Sequence, residues 1–278
     1  MRVLVTGGAS GLGLALVERL AARGDEVLSC DRAWGDLDRL DRPGDVDRPG
    51  ELDRPGDTDR PGVVRRALDV RSEADWEATR GWVAEHWDGL DLLVNNAGVA
   101  GGGRVDRTSI EDWQWILDVN LLGVVRGVRA FSPMLKAQGS GWILNTASLA
   151  GLVHPPGMGS YNAVKAAVVA FSETMSHELA PYGVGCSVLC PSYFRTNLMS
   201  SMRGDDAELA ASVTRLVEQS GISADDIAVA ALAGLDRGEH LIVPDEPART
   251  AYDAKLHHRA AYDEQMRGIA ARMRERQP

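Results

Sequence analysis

The stretch TGGASGLG, residues 6–13, decides the fold of this 278-residue chain. It follows an apolar run at residues 3–5, typical of a strand, and precedes residues 12–23, whose apolar side chains recur at helical spacing before Gly24. A glycine-rich turn between a strand and a helix lets the backbone approach a pyrophosphate, and the free N–H groups of the helix attract the phosphates. The alternative is a structural turn without a ligand. The pattern predicts a dinucleotide site that includes Gly7, Ser10, Gly11, Leu12 and Gly13.

Apolar strands and amphipathic helices alternate along the rest of the chain. Because such alternation is typical of a parallel sheet covered on both faces, we predict an α/β fold, a Rossmann-type doubly wound parallel sheet in a single domain. That domain spans residues 1–248, with a helical C-terminal extension at residues 249–278. The further predicted strands are residues 26–30, 63–70, 90–94, 142–146, 185–190 and 240–243, and the further helices are residues 76–87, 110–136, 161–179 and 225–235.

The charge balance excludes some classes of partner. The chain has 30 basic and 40 acidic residues, a formal charge of −10. Since nucleic-acid binders carry a basic face, we expect no nucleic-acid partner. No apolar run approaches the ~20 residues that span a bilayer, and no signal peptide follows Met1, so we expect no membrane association. The three cysteines are an odd number, which suits a reducing compartment and predicts a cytoplasmic location.

Residues 36–62 carry nine acids and five arginines and contain Asp-Arg-Pro-Gly four times, at residues 41, 47, 53 and 59. Proline every six residues forbids the helix expected between the second and third strands. We interpret the segment as an insertion of turns or a loop in its place. It is either a surface expansion without function, or a flap that shapes the adenosine site or contacts a partner.

Asp31 ends the second predicted strand, 18 residues after Gly13. A carboxylate at this point accepts hydrogen bonds from ribose hydroxyls and repels a 2′-phosphate, which favours NAD over NADP. Arg32 follows directly and is a candidate contact for a phosphate, so NADP remains possible.

Further motifs follow in order: Asp69-Val70 after the third strand, Asn95-Asn96-Ala97-Gly98 after the fourth, and the segment from Pro191 to Thr196. Four single residues accompany them, namely Asn120, Ser148, Tyr161 and Lys165. Together with the TGxxxGxG turn, these motifs resemble the short-chain dehydrogenase/reductase family. The resemblance covers residues 1–35 and about 63–245, and Ser192 stands where the family has glycine.

The resemblance implies a role for each motif. Asp69 and Val70 would meet the adenine, with a helix cap as the alternative reading of Asp69. Asn96, Ala97 and Gly98 would form a cofactor-binding turn, whereas Asn95 steadies the sheet in this family. Pro191 and Thr196 would lie near the nicotinamide, and Tyr161 and Lys165 are candidate cofactor contacts as well as catalytic residues. Asn120 would bind a water that links Lys165 to solvent, or would serve only as a structural hydrogen-bonder.

The four single residues match the catalytic tetrad of this family, and the spacing of the last two agrees with acid–base chemistry. Tyr161 and Lys165 are four residues apart and share one face of a helix. A lysine ammonium, helped by a positive nicotinamide, would lower the pKa of Tyr161 from about 10 by ~3 units. Ser148 would hold the substrate oxygen. The implied activity is NAD-dependent hydride transfer between the nicotinamide and a secondary alcohol or ketone. The alternatives are an NADP-dependent ketone reductase and a non-catalytic, cofactor-binding regulatory protein.

The substrate side is less specified. His154 and Tyr193 are candidate substrate contacts, together with Ser148 and Tyr161. An apolar segment with Phe194, Leu198, Met199 and Met202 favours a hydrophobic or alicyclic substrate, with ordinary packing as the alternative. His257 and His258 have no third ligand nearby in sequence, so no metal is assigned.

The C-terminal extension carries an apolar stripe at 4-3-4 spacing, formed by Tyr262, Met266, Ile269 and Met273. A helix with so narrow a stripe should dock on its own chain or on a neighbouring subunit. The family resemblance implies a homodimer or homotetramer.

Overall fold

A computed structural model of the chain describes residues 1–32, 61–203 and 206–275. Seven strands form one sheet in the order β3-β2-β1-β4-β5-β6-β7, and every neighbouring pair runs parallel. The strands are β1 (Arg2–Thr6), β2 (Glu26–Asp31), β3 (Val63–Ala67), β4 (Leu92–Asn95), β5 (Gly141–Thr146), β6 (Val184–Leu189) and β7 (Leu241–Ile242). The predicted doubly wound parallel sheet is confirmed.

Helices cover both faces of this sheet. Leu4 of β1 packs with residues of α2, α4 and α6, whereas its neighbours Val3 and Val5 pack with residues of α1 and α8. This alternation follows from the two-residue period of a strand. The helices are α1 (Gly11–Ala22), α2 (Glu73–His86), α3 (Ile110–Leu117), α4 (Gly123–Gln138), α5 (Ala150–Val153), α6 (Gly159–Leu179), α7 (Ala207–Glu218), α8 (Ala224–Asp236), α9 (Glu246–His257) and α10 (Arg259–Glu275).

The winding direction reverses between β1 and β4, which are neighbours in the sheet although β2 and β3 lie between them in sequence. In open parallel sheets, a crevice forms at the carboxyl ends of the strands on either side of such a reversal. The glycine turn follows β1 and the Asn-Asn-Ala-Gly turn follows β4, so both motifs lie at this crevice.

The predicted helix over residues 110–136 is interrupted. A π-helical turn, Asp118–Leu122, separates α3 from α4 and contains Asn120. The Asn120 amide bonds to the backbone of Val99 in a neighbouring loop, an attachment that the helical apolar pattern does not reveal. Single π turns of this kind often occur at functional sites.

Other predicted boundaries were also wrong. The third strand ends at Ala67 rather than residue 70, and α5 and α7 were not predicted. Residues 36–60 of the predicted insertion lie outside the described residues. Gly62 at its end accepts a hydrogen bond from the backbone N–H of Val27, which connects it to the start of β2.

The C-terminal extension is helical, as predicted, and begins slightly earlier than residue 249. Asp245 caps α9 by accepting a hydrogen bond from the Ala248 N–H at 2.9 Å. Its second carboxylate oxygen accepts from the Ser192 N–H, also at 2.9 Å. On α10, Tyr262 is buried and Met266 packs against the core, so this part of the stripe docks on its own chain. No helix in the described ranges is long and apolar enough to cross a bilayer.

Candidate active site

The glycine turn forms a tight cradle at the start of α1. A Cβ atom on Gly13 would lie 1.9 Å from the Gly7 carbonyl oxygen, so only glycine allows α1 to pack this closely against the turn. Gly11 has a φ of +53°, and a Cβ there would lie 2.8 Å from Thr196 Oγ1. Ser10 precedes α1 in an extended conformation and makes no side-chain cap. The first N–H groups of α1 therefore keep their capacity to bind an anion.

Asp31 and Arg32 lie at one end of the cavity that contains this cradle. The Asp31 carboxylate accepts hydrogen bonds from the backbone N–H groups of Ala9 (3.0 Å) and Arg32 (2.7 Å). These bonds hold the carboxylate beside the glycine turn. The Arg32 Nε lies 3.9 Å from Asp69 Oδ2, so this guanidinium faces a second carboxylate.

Asp69 is held by Arg71. The Arg71 guanidinium donates to Asp69 Oδ2 at 2.5 Å, and the Arg71 backbone N–H donates to Oδ1 at 3.0 Å. Burial raises the pKa of the Asp69 carboxyl, but the Arg71 hydrogen bonds outweigh it and bring the pKa below its usual value. The α2 cap is Ser72, whose hydroxyl accepts from the Asp75 N–H, so the helix-cap reading of Asp69 was wrong. Val70 lines the cavity beside it.

Thr6 holds the Asn-Asn-Ala-Gly turn against the end of β1. Its hydroxyl accepts from the N–H groups of Asn96 (3.0 Å) and Ala97 (3.1 Å), and its carbonyl accepts from Asn96 Nδ2 (3.1 Å). The sequence alone did not assign a function to Thr6, because a threonine at the end of a strand is not part of a distinctive motif. The turn continues to Gly98, where a Cβ would lie 3.2 Å from Asn120 Oδ1 and 3.7 Å from Lys165 Nζ.

Asn95 lies one residue earlier and faces the interior. Its amide donates to Asn145 Oδ1 at 2.9 Å, and Asn145 donates in turn to Ser172 Oγ at 2.9 Å. These three buried side chains connect β4 and β5 to α6, an arrangement that suits the structural role expected of Asn95.

The structure brings the four tetrad residues to one region. Ser148 follows β5 and hydrogen-bonds to Tyr161, which lies one turn before Lys165 on α6. The Lys165 Nζ donates to the Thr146 carbonyl at 2.8 Å and lies 5.8 Å from the centre of the Tyr161 ring. Burial lowers the pKa of Lys165 to about 8.

The residues of the protein itself raise the pKa of Tyr161, whereas the sequence prediction concerns the phenol beside a positive nicotinamide. Burial raises it to about 12, although the Ser148 hydrogen bond opposes this change. The lysine amine lies near the ring without hydrogen-bonding to the phenol, and burial lowers its own pKa to about 8. The protein alone therefore keeps Tyr161 protonated, and a shift towards neutrality needs an additional positive charge.

Asn120 is fully buried in the π turn. Its side-chain oxygen accepts from the Val99 N–H (2.8 Å) and its side-chain nitrogen donates to the Val99 carbonyl (2.9 Å). The amide thus anchors the loop after β4 beside Lys165. The amide oxygen keeps a second lone pair and the amide nitrogen a second hydrogen, and the water relay implied by the family resemblance stays a prediction.

One cavity of about 650 Å³ joins the cofactor end to the substrate end. Pro191 and Thr196 line it, as do Tyr193 and the predicted apolar residues Phe194, Leu198, Met199 and Met202. His154 does not: its ring contacts the Gly151 carbonyl (3.1 Å) and Lys255 Nζ (2.8 Å). A φ of +55° at His154 turns the chain there, which sequence spacing did not reveal.

Sequence reasoning missed the cavity residues Arg71, Arg104, Ile269, Arg272 and Met273. The last three belong to α10, and only the apolar stripe indicated that this helix docks somewhere. In the ranges that the structure describes, no group of three His, Cys, Asp or Glu side chains is arranged to hold a metal ion.

Comparison with known proteins agrees with this geometry. Residues 1–207 match the family described as short chain dehydrogenase. The chain is 34% identical to 2-(R)-hydroxypropyl-CoM dehydrogenase of Xanthobacter autotrophicus over 222 residues, covering 79% of this chain and 84% of that protein. Several other curated relatives are matched over only 47%, 39% and 35% of their own length.

Two solved structures resemble the whole chain. A short chain dehydrogenase/reductase from Burkholderia phymatum in complex with NAD has a TM-score of 0.76 at 31% identity, covering 98% of this chain and 94% of that one. A short chain dehydrogenase from Burkholderia cenocepacia in complex with NADP has a TM-score of 0.75 at 25% identity, covering 95% and 96%.

Proposed function

Because the chain belongs to the short chain dehydrogenase family, we propose that it transfers a hydride between NAD and a secondary alcohol or ketone with an apolar body. The observation that carries this proposal is the continuity of the cavity, which runs from the glycine cradle past Ser148, Tyr161 and Lys165 to an apolar end. The proposed cofactor site and the acid–base group therefore share one continuous cavity.

The cradle fits a dinucleotide on physical grounds. A Cβ would fill the space at Gly13, and the first turn of α1 offers N–H groups that Ser10 does not cap. The Asp31 carboxylate at the adenosine end favours ribose hydroxyls over a 2′-phosphate, which supports NAD. The bound nicotinamide supplies the hydride acceptor or donor.

Side chains of the protein bind the substrate oxygen and transfer the proton. Ser148 holds the substrate oxygen beside the Tyr161 phenol. In ketone reduction, the protonated Tyr161, whose pKa is about 12, donates its proton to the developing alkoxide. In alcohol oxidation the same oxygen, as a phenolate, receives the hydroxyl proton of the substrate, and positive charges near the phenol stabilise this deprotonated starting form. Lys165 and Asn120 stabilise the backbone around the site, since Lys165 donates to the Thr146 carbonyl and Asn120 accepts from the Val99 N–H.

A panel of secondary alcohols with NAD, and of the matching ketones with NADH, tests the proposal through the absorbance of the reduced nicotinamide. We expect turnover of apolar members and weaker turnover with NADP. An NADP-dependent ketone reductase would instead prefer NADPH, with Arg32 contacting the phosphate. A non-catalytic regulatory protein would bind the cofactor and turn over none of them.

Asp31→Asn probes the cofactor preference directly. The amide keeps an oxygen for the Ala9 N–H but removes the charge that repels a 2′-phosphate and binds the ribose hydroxyls. We expect the ratio of kcat/KM for NAD to that for NADP to fall by about 10- to 100-fold, since hydrogen bonds to a charged group contribute about 1.5–3 kcal/mol. An unchanged ratio would contradict the assignment of Asp31. Asp88→Asn, at an exposed carboxylate distant from β2 in sequence, is the control.

We further propose the two-part organisation predicted above, a dehydrogenase domain over residues 1–248 followed by the C-terminal extension.

We also propose a cytoplasmic location and a homodimer or homotetramer. The three cysteines are buried and unpaired, and burial raises the pKa of the Cys186 thiol to about 12, which suits thiols that stay reduced and unreactive. Light scattering coupled to size-exclusion chromatography tests the oligomeric state.

A further inference from the structure

The C-terminal extension is attached to the substrate wall that follows Ser148. The Lys255 ammonium on α9 donates to the Leu152 carbonyl, and the buried Tyr262 hydroxyl on α10 donates to the Val153 carbonyl. Both carbonyls lie in the last turn of α5, whose end would otherwise lack hydrogen-bond partners. Since residues of α5 line the cavity, these two bonds hold the extension beside it.

Beyond this anchor, α10 continues along the cavity. Tyr262 and Met266 pack on the core, and the next members of the stripe, Ile269 and Met273, line the cavity together with Arg272. Gly268 lies one turn before Arg272, and a Cβ there would be 3.7 Å from Arg272 Nη1. The Arg272 guanidinium therefore lies close to Gly268, one helical turn earlier, where no side chain occupies the space.

The charges around the cavity are unevenly distributed. Four charged residues lie at the adenosine end, and Lys165 lies at the catalytic centre. Two further charged residues line the cavity in the part of the chain that the structure describes, and one of them, Arg104, is paired with the buried Asp206 at 2.7 Å. Arg272 makes no ion pair with any residue that the structure describes. The substrate end therefore combines an apolar wall with one exposed cation.

We infer that Arg272 is a specificity-determining residue that binds the carboxylate of the substrate. The substrate class is then a hydroxy or keto carboxylic acid, with its carbinol or carbonyl carbon at Tyr161, an apolar middle against Ile269 and Met273, and its carboxylate at the far end. One forked guanidinium matches one carboxylate, which can accept two parallel hydrogen bonds from it. This inference rests on the proposed function and concerns the opposite end of the same cavity.

Equilibrium binding tests the inference without requiring turnover. Octanoate and its neutral isostere octanamide are titrated calorimetrically into the full-length protein saturated with NAD. We expect wild type to bind octanoate about 3- to 10-fold more tightly than octanamide, a range that allows for screening of an exposed cation. Arg272→Gln should remove this difference and Arg272→Lys should keep part of it. The control Arg274→Gln, on the same last turn but away from the cavity, should keep all of it.

Several results would overturn the inference. These are equal affinities of wild type for the two ligands, absence of octanoate binding, or equal losses in the variants of Arg272 and Arg274. A preference that survives Arg272→Gln would place the carboxylate elsewhere, for example at Lys165, and would also overturn it. None of these outcomes depends on alcohol oxidation, so failure of the proposed function is detected separately in the alcohol and ketone panel.

Discussion

Replacement of Tyr161 by Phe is expected to lower kcat by about 10³-fold, within the range that positioned acid–base groups contribute. The variant keeps the ring and loses only the hydroxyl that hydrogen-bonds to Ser148 and that we propose exchanges the proton with substrate. Because this hydroxyl lies at the substrate side of the cavity, cofactor affinity should change little. Steady-state rates and cofactor titration by quenching of tryptophan fluorescence measure the two quantities.

Tyr182→Phe is the matched control. Tyr182 is 47% exposed and lies in a short 3₁₀ turn after α6, where Lys136 contacts its ring face and would contact a phenylalanine equally. This variant should retain wild-type rates. If Tyr161→Phe also kept more than about a tenth of the wild-type kcat, the phenol would not be the proton-exchanging group.

Gly13→Ala is expected to weaken cofactor binding by about 100-fold or more, since a displacement of about 1 Å in a positioned site has effects of this size. The added Cβ would lie 1.9 Å from the Gly7 carbonyl oxygen and 2.6 Å from Asn96 Nδ2. The first of these is a backbone atom that cannot rotate away, so α1 must move outward and carry its N-terminal N–H groups with it.

Gly81→Ala provides the control for this change. Gly81 lies within α2, is exposed, and has no atom within 4 Å of an added Cβ. The substitution should raise the free energy of unfolding by about 0.5–1 kcal/mol and leave cofactor binding unchanged. Cofactor affinity of Gly13→Ala close to that of wild type would contradict the close packing at the cradle.

The cofactor end could be predicted from sequence because its chemistry restricts residue types at fixed positions. A backbone carbonyl that leaves no room for a Cβ selects glycine at residue 13, and a parallel strand that ends at the same edge of the sheet brings Asp31 to the cradle. The tetrad was equally accessible, since Tyr161 and Lys165 are spaced by one helical turn and Ser148 follows a buried strand.

The lining of the substrate end and the pKa of Tyr161 depend on contacts between residues that are distant in sequence. Local sequence patterns do not reveal such contacts. His154 turns away because Lys255, a hundred residues later, contacts its ring. The pKa of Tyr161 follows its burial beneath several elements rather than its spacing from Lys165. The apolar stripe of α10 indicated docking, but its place beside the cavity is set by the hydrogen bonds of Lys255 and Tyr262 to the end of α5.

The position of β3 at the edge of the sheet affects how far the length of the preceding segment can change during evolution. Among the described residues no strand lies beyond β3, so the connection from β2 needs only to return along one five-residue strand, a distance of about 17 Å that roughly six extended residues can span. The 31 residues between Asp31 and Val63 exceed this need several-fold. We therefore expect duplication or loss of whole six-residue repeats to leave the pairing of Val27 with Val63 intact, so that genes related by descent can differ in length at this edge.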